Sequence, residues 1–289
     1  MTPSSATASV RPPAVAGSFY PAPASRLQGE IDDFLERAVP PQQVGLVYGL
    51  VSPHAGYMYS GFTAAHAYRS LRNKTFDAVI VIGPSHQEYF QGVSVYPGES
   101  YRTPLGEVKI HEALRSKIVA HQKRIVLSVA GHRGEHSVEV QLPFLQRVLG
   151  TFSFVPVVMG DQTPELCEHL SEAIVSAVSG ENVLLVASSD LSHYHPYEEA
   201  MLLDHRVIEF IELYEPLKLM DRLERHELEA CGGGPIVTVM LAAKKLGANK
   251  ARVIHYCNSG DITGEKGAVV GYLSALLSKE PSNLPPKAN

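Results

Sequence analysis

The sequence predicts an α/β protein: a single three-layer α/β/α domain with a central mixed β-sheet. Three observations carry that prediction. Apolar, β-branched runs of strand length recur along the 289 residues. Amphipathic stretches with helical spacing lie between them, and no linker or internal repeat divides the chain.

The strand-like runs are GLVYGLV, FDAVIVIG, GVSVY, FSFVPVVMG, NVLLVASS, ARVIHYC and GAVVGYL. Several are continuously apolar, as expected of strands covered on both faces. SRLQGEIDDFLERAV sets Leu27, Ile31, Phe34 and Leu35 on one helical stripe. TPELCEHLSEAIVSAV opens with a Thr-Pro start and aligns Leu166, Cys167, Leu170, Ile174 and Val178. SVEVQLPFLQRVLG reads as a helix that Pro143 kinks or delays. In EACGGGPIVTVMLAAKKLG, Pro235 suits a first helical residue, with Val237, Met240, Leu241 and Leu246 on the apolar side. The domain is expected over residues 13–278. Residues 1–12 and 279–289, rich in Pro, Ser and Ala, are expected to be disordered.

Hydrophobic residues make up 45% and charged residues 19%, enough apolar material for a large core. A net charge of −5 without a long basic run excludes the electrostatic footprint of a nucleic-acid binder. Cys167, Cys231 and Cys257 form no CxxC pair and leave one over, which points to a reducing compartment rather than a disulfide scaffold. With no signal-type apolar segment at the start and no apolar run of spanning length, a soluble cytoplasmic protein with no membrane partner is expected.

Chemistry collects where strands end. GLVYGLV runs into a segment carrying His54, FDAVIVIG into one carrying His86, and NVLLVASS into DLSHYH with Asp190, His193 and His195. Ligands in open α/β sheets bind beyond the carboxyl ends of strands. If these strands are parallel neighbours, the three loops share one rim. Cys231 lies just ahead of a helix start, where the dipole favours thiolate. Two imidazoles and a thiolate suit copper, iron or zinc, with room for an open position.

The segments PHAGYMYSG, GPSHQ, GEHSVEVQLPFL, SSDLSHY and CGGGPI, in this order, resemble the Memo family from about Pro13 to about Leu277. The resemblance implies a fold like that of the class III extradiol dioxygenases. It also implies one transition-metal ion, copper or iron with zinc as an alternative, held by His54, His86 and Cys231. Asp190 and His193 would stand beside it as catalytic groups. It further implies a small-molecule or peptide ligand in the cleft, with a radical-SAM protein and an associated protein as partners. Cys231 stands where those dioxygenases use a carboxylate, so ring cleavage is not expected to carry over. His193, oriented by Asp190 or by a backbone group, would act as general acid or base.

Blander readings apply to much of the rest. His66, His111, His121, His169, His205 and His226 fall in helical stretches and are expected to be surface or cap residues. Cys167 and Cys257 are expected to be buried small residues. His136 is read as either a pocket residue or a helix start, and His132 and His195 are left open. Tyr57 and Tyr194 are read as pocket walls. Three functions compete: a metal-dependent redox protein, a non-catalytic adaptor using the same cleft, and a cysteine hydrolase using Cys231, His193 and Asp190. The last lacks a nucleophile-elbow motif.

Overall fold

The computed structural model describes residues 10–42 and 44–280. The first elements are β1 (Val10–Arg11), α1 (Ala24–Arg37), β2 (Leu46–Ser52), α2 (Tyr57–Arg69), β3 (Ala78–Pro84), β4 (Val93–Val95) and β5 (Ser100–Thr103). Then come β6 (Gly106–Ile110), α3 (Glu112–His121), β7 (Ile125–Leu127), α4 (Leu142–Leu149), β8 (Ser153–Met159), α5 (Pro164–Ala177) and β9 (Val183–Ser188). The chain closes with β10 (His193–His195), α6 (Tyr197–Glu212), α7 (Pro216–Glu224), α8 (Gly233–Leu246), β11 (Lys250–Asn258), α9 (Ser259–Thr263) and β12 (Val269–Lys279).

The strands form one mixed sheet in the order β1-β5-β6-β8-β3-β9-β2-β12-β10, with β11 on β12, and β4 joining β8 to β7. Its centre, β8-β3-β9-β2, is parallel, and β12 runs antiparallel to β2. Successive side chains of these strands enter opposite layers. Ile80, Ile82, Leu185 and Ala187 pack under α5, α6, α7 and α8, while Val79, Val81, Leu184 and Val186 pack under α1, α2 and α4. A sheet buried on both faces explains why its central strands read as unbroken apolar runs.

The predicted helices form for the reasons read in the sequence. α1 buries Leu27, Ile31 and Leu35. α5 starts at Pro164, with the Thr163 side chain accepting a hydrogen bond from the Leu166 N–H. Pro143 delays α4 rather than kinking it: a 3-10 turn over Glu139–Gln141 precedes the helix, and Pro143 occupies its first turn, where a missing N–H costs nothing. Helix α8 begins at Gly233, two residues before the expected Pro235.

The expected disorder at residues 1–9 and 281–289 lies outside the described residues. Residues 10–12 depart from it, because Val10 and Arg11 pair with Ser100 and Tyr101 of β5 and Arg11 is buried. Lys279 and Glu280 are likewise held, the former in β12 and the latter accepting from Arg252 Nη2 at 2.6 Å. Among the described residues, no helix is long and apolar enough to cross a membrane.

Candidate metal centre

β3, β9 and β2 are adjacent and parallel, so their C-terminal ends lie on one rim. His86, Asp190 and His54 each follow two residues after the strand that delivers them. The three loops predicted to converge do so.

His54 is buried, and its ring Nδ1 lies 3.0 Å from Ser188 Oγ, so Nε2 is left for other partners. Cys231 Sγ is 3.1 Å from that Nε2. His86 presents its Nδ1 to Glu135 Oε1 at 2.9 Å, which leaves its Nε2 free as well. His136 stands 3.3 Å from the same Oε1. The rings of His54, His86 and His136 form a tight cluster with centroid separations of 5.0, 5.2 and 4.7 Å. One ligand atom from each of the three lies within 4.8 Å of the others.

This donor set fits a metal ion. Neutral imidazoles are required, and burial pushes the His54 pKa well below its ordinary value, with the neighbouring His136 and His86 adding to the effect. Burial likewise lowers His136 to about 4. Burial works against the charge of Glu135, but the hydrogen bond and charge of His86 outweigh it and hold the carboxyl well below the usual range. A carboxylate behind a histidine is the usual support of a metal-binding imidazole.

The expected residues are brought together unevenly. His54 and Cys231 touch, and His86 stands beside His54, but the compact trio is completed by His136 rather than Cys231. Asp190 does not orient His193. Its Oδ1 instead accepts from the backbone N–H groups of His54 at 2.8 Å and Ala55 at 3.3 Å. Burial, partly offset by those two bonds, raises its pKa to about 7. His193 takes the backbone alternative, through Leu191, and burial lowers its pKa.

The thiol also departs from expectation. Cys231 lies just ahead of α8, yet burial first and the Asp190 charge second push its pKa up. Its backbone is pinned to Asp190: Cys231 N–H donates to Asp190 O at 3.2 Å, and Asp190 N–H to Cys231 Sγ at 3.3 Å.

Tyr57 and Tyr194 are not pocket walls. Tyr57 is a core residue whose hydroxyl donates to Val140 O at 2.6 Å, and Tyr194 is 76% exposed. His66 is buried against His255, with ring centroids 4.1 Å apart, because the face of α2 that carries it packs on β11. His111 does act as a cap, its Nδ1 accepting from Leu114 N–H. His132 is structural, 2.5 Å from the Tyr101 hydroxyl, and His195 pairs with Glu229. Cys167 is core, as expected, and Cys257 is half-buried, 3.1 Å from Thr63 Oγ1.

Sequence reasoning gave Glu135 no part in orienting histidines, although its neighbour His136 in GEHSVEV was a usable signal. It also missed Arg11. That guanidinium holds the loop bearing both residues, donating to His132 O, Glu135 O and Glu139 Oε2, each at 2.5 Å. Tyr20 OH and the N–H groups of Ala14 and Val15 complete the Glu139 carboxylate. Phe19 then packs on the His136 ring at 4.6 Å.

Beside Cys231 a cleft of about 570 Å³ opens, lined among others by His193, Met220, Leu223, Leu228 and Gly234.

Comparison with known proteins agrees with this architecture. Residues 11–276 match the model of the Memo-like protein family. A "MEMO1 family protein" of Sulfolobus acidocaldarius is 41% identical over 281 residues, covering 92% of this chain and 98% of that one. Another, from Methanosarcina mazei, is 39% identical over 271 residues, covering 93% and 99%. An uncharacterized protein of Escherichia coli K12 shares the fold, with a TM-score of 0.57 at 17% identity, covering 80% of this chain and all of the other. The chain belongs to the Memo family.

Proposed function

We propose that this protein is a metal-dependent redox protein. It holds one transition-metal ion, copper or iron, at His54, His86 and Cys231, and acts on a small molecule admitted through the adjoining cleft. The observation that carries the reading is the 3.1 Å approach of Cys231 Sγ to His54 Nε2, beside a His86 ring backed by a carboxylate. Imidazole and thiolate together suit a borderline or soft metal. The bound ion would supply redox and Lewis-acid chemistry.

The chain supplies the rest. Ser188 and Glu135 fix the rings of His54 and His86, and Asp190 holds the backbone of His54 in place. Loss of its proton on metal binding would convert the half-buried Cys231 to thiolate. His193, on the cleft wall, is placed to pass a proton to or from a bound molecule. Three free cysteines suit a reducing cytoplasm.

A second donor set has its own support, since His136 stands within 4.8 Å of the other two histidines. Metal analysis of anaerobically reconstituted protein decides between them. The parent is expected to hold about one equivalent, lost in His54→Ala, His86→Ala and Cys231→Ala but kept in His136→Ala. Retention in Cys231→Ala with loss in His136→Ala would transfer the third position to His136. A parent that takes up no metal would favour the non-catalytic adaptor.

A further inference from the structure

The cleft beside Cys231 has a distinctive wall. Its body is apolar, with Leu191, Met220 and Leu228 buried behind it and Leu223 on its side. Its carboxylates are Glu224 and Glu229; His193 and His226 also line it, with no Lys or Arg among the described residues that do. Glu229 is partly engaged, both its oxygens lying 2.9–3.0 Å from His195 Nε2. Glu224, at the exposed end of α7, receives no hydrogen bond or ion pair from the described residues.

The floor of the cleft is the N-terminus of α8, a feature that ordinarily attracts phosphate or carboxylate. Here its donors are already committed. Gly232 N–H donates to Ser189 Oγ at 2.9 Å, Gly233 N–H to Ala230 O at 3.0 Å and Gly234 N–H to Gln162 Oε1 at 2.7 Å. Pro235 has no N–H, and that of Ile236 is bonded to Gly232 O. An anion entering the cleft would meet two carboxylates and no free donor from this helix end.

We propose that the cleft selects a cationic ligand with a hydrophobic body, a small amine whose ammonium group meets Glu224 while its apolar part lies against Met220, Leu223 and Leu228. This names the substrate class of the site proposed above, and rests on the cleft being its entrance. Glu229 adds to the negative field, and apolar contact supplies most of the affinity.

The test compares three probes of one shape: 2-phenylethylamine, 2-phenylethanol and 3-phenylpropionate. Each is titrated calorimetrically into the full chain, once chelator-treated and once metal-loaded. The amine is expected to bind about five-fold more tightly than the alcohol, and the acid more weakly than either, as suits a solvent-accessible charge pair. Glu224→Gln should bring the amine down to the alcohol while leaving the alcohol unchanged. The proposal is overturned if the amine binds no more tightly than the alcohol, if the acid matches the amine, or if the preference survives in Glu224→Gln. The chelator-treated arm separates the two readings. Amine preference in a chain that never takes up metal would sink the metal assignment alone. Stoichiometric metal without amine preference would sink this one alone.

Discussion

Glu135 and His86 are joined twice, the His86 backbone N–H donating to Oε2 at 2.6 Å and the ring Nδ1 lying 2.9 Å from Oε1. The carboxylate thereby fixes both the position of the residue and the rotation of its ring. Glu135→Gln keeps the volume but removes the charge that favours an Nδ1–H tautomer with Nε2 free. Metal affinity should fall about 10- to 100-fold, as read by competition with a chromophoric chelator. An unchanged affinity would mean that His86 is not a ligand.

Arg11 should matter far more than its place near the start of the chain suggests. Arg11→Ala leaves the Glu139 carboxylate buried without its cation, a loss that typically costs about 3–5 kcal/mol. Urea unfolding should show a large drop in midpoint. Arg11→Lys should be milder, because it keeps the charge but cannot reach three acceptors in a fixed fork. In Arg11→Lys, metal affinity should fall along with stability, since the guanidinium also holds Glu135.

Gly232 sits where a side chain has no room. A Cβ there would stand 2.2 Å from Ser188 O and 2.7 Å from Ser189 Cβ. Gly232→Ala is expected to cost about 1–3 kcal/mol and to push Cys231 away from His54. Metal content and melting temperature should both drop, whereas Gly134→Ala, which meets nothing within 4 Å, should leave packing unchanged.

The stacked His66–His255 pair makes stability fall in acid. Burial, and then the like charge of His66, lowers His255 to about 4. The unfolded chain therefore binds more protons between about pH 6.5 and pH 4, and stability drops as pH falls through that window. Because His255 is only half-buried, the effect should be about 1–2 kcal/mol after solvent screening. Urea midpoints of the parent and His255→Gln, followed from pH 7 to pH 4.5, should converge as the pH drops. Parallel curves would refute it.

The layered architecture and its rim were readable because local signals agreed with the global fold. Uncovered apolar strands cannot exist in water, so VIVIG and VLLVAS had to lie between helices. The three loops were legible for the same reason: polar groups placed directly after buried strands can only gather at their ends. Long-range partners were not legible. Nothing near Arg11 announces Glu139, 128 positions away, and nothing in CGGGP shows that Ser189 and Gln162 already occupy the helix donors. The chemistry of Cys231 failed for a related reason. A helix start can be inferred from sequence, but the enclosure and the Asp190 charge that push the thiol up cannot.

The strand β12 lies next to β2, which precedes it in the chain by nearly the whole domain. While the chain is still being made, the parallel centre therefore has an open flank along Leu46–Ser52, leaving a row of N–H and C=O groups without partners. The candidate ligands on the rim all precede β12, so a nascent chain carries those side chains on an unfinished scaffold before that flank is closed. The sheet is then expected to stay incomplete, with the open flank exposed to aggregation or to chaperones, until residues 269–279 arrive.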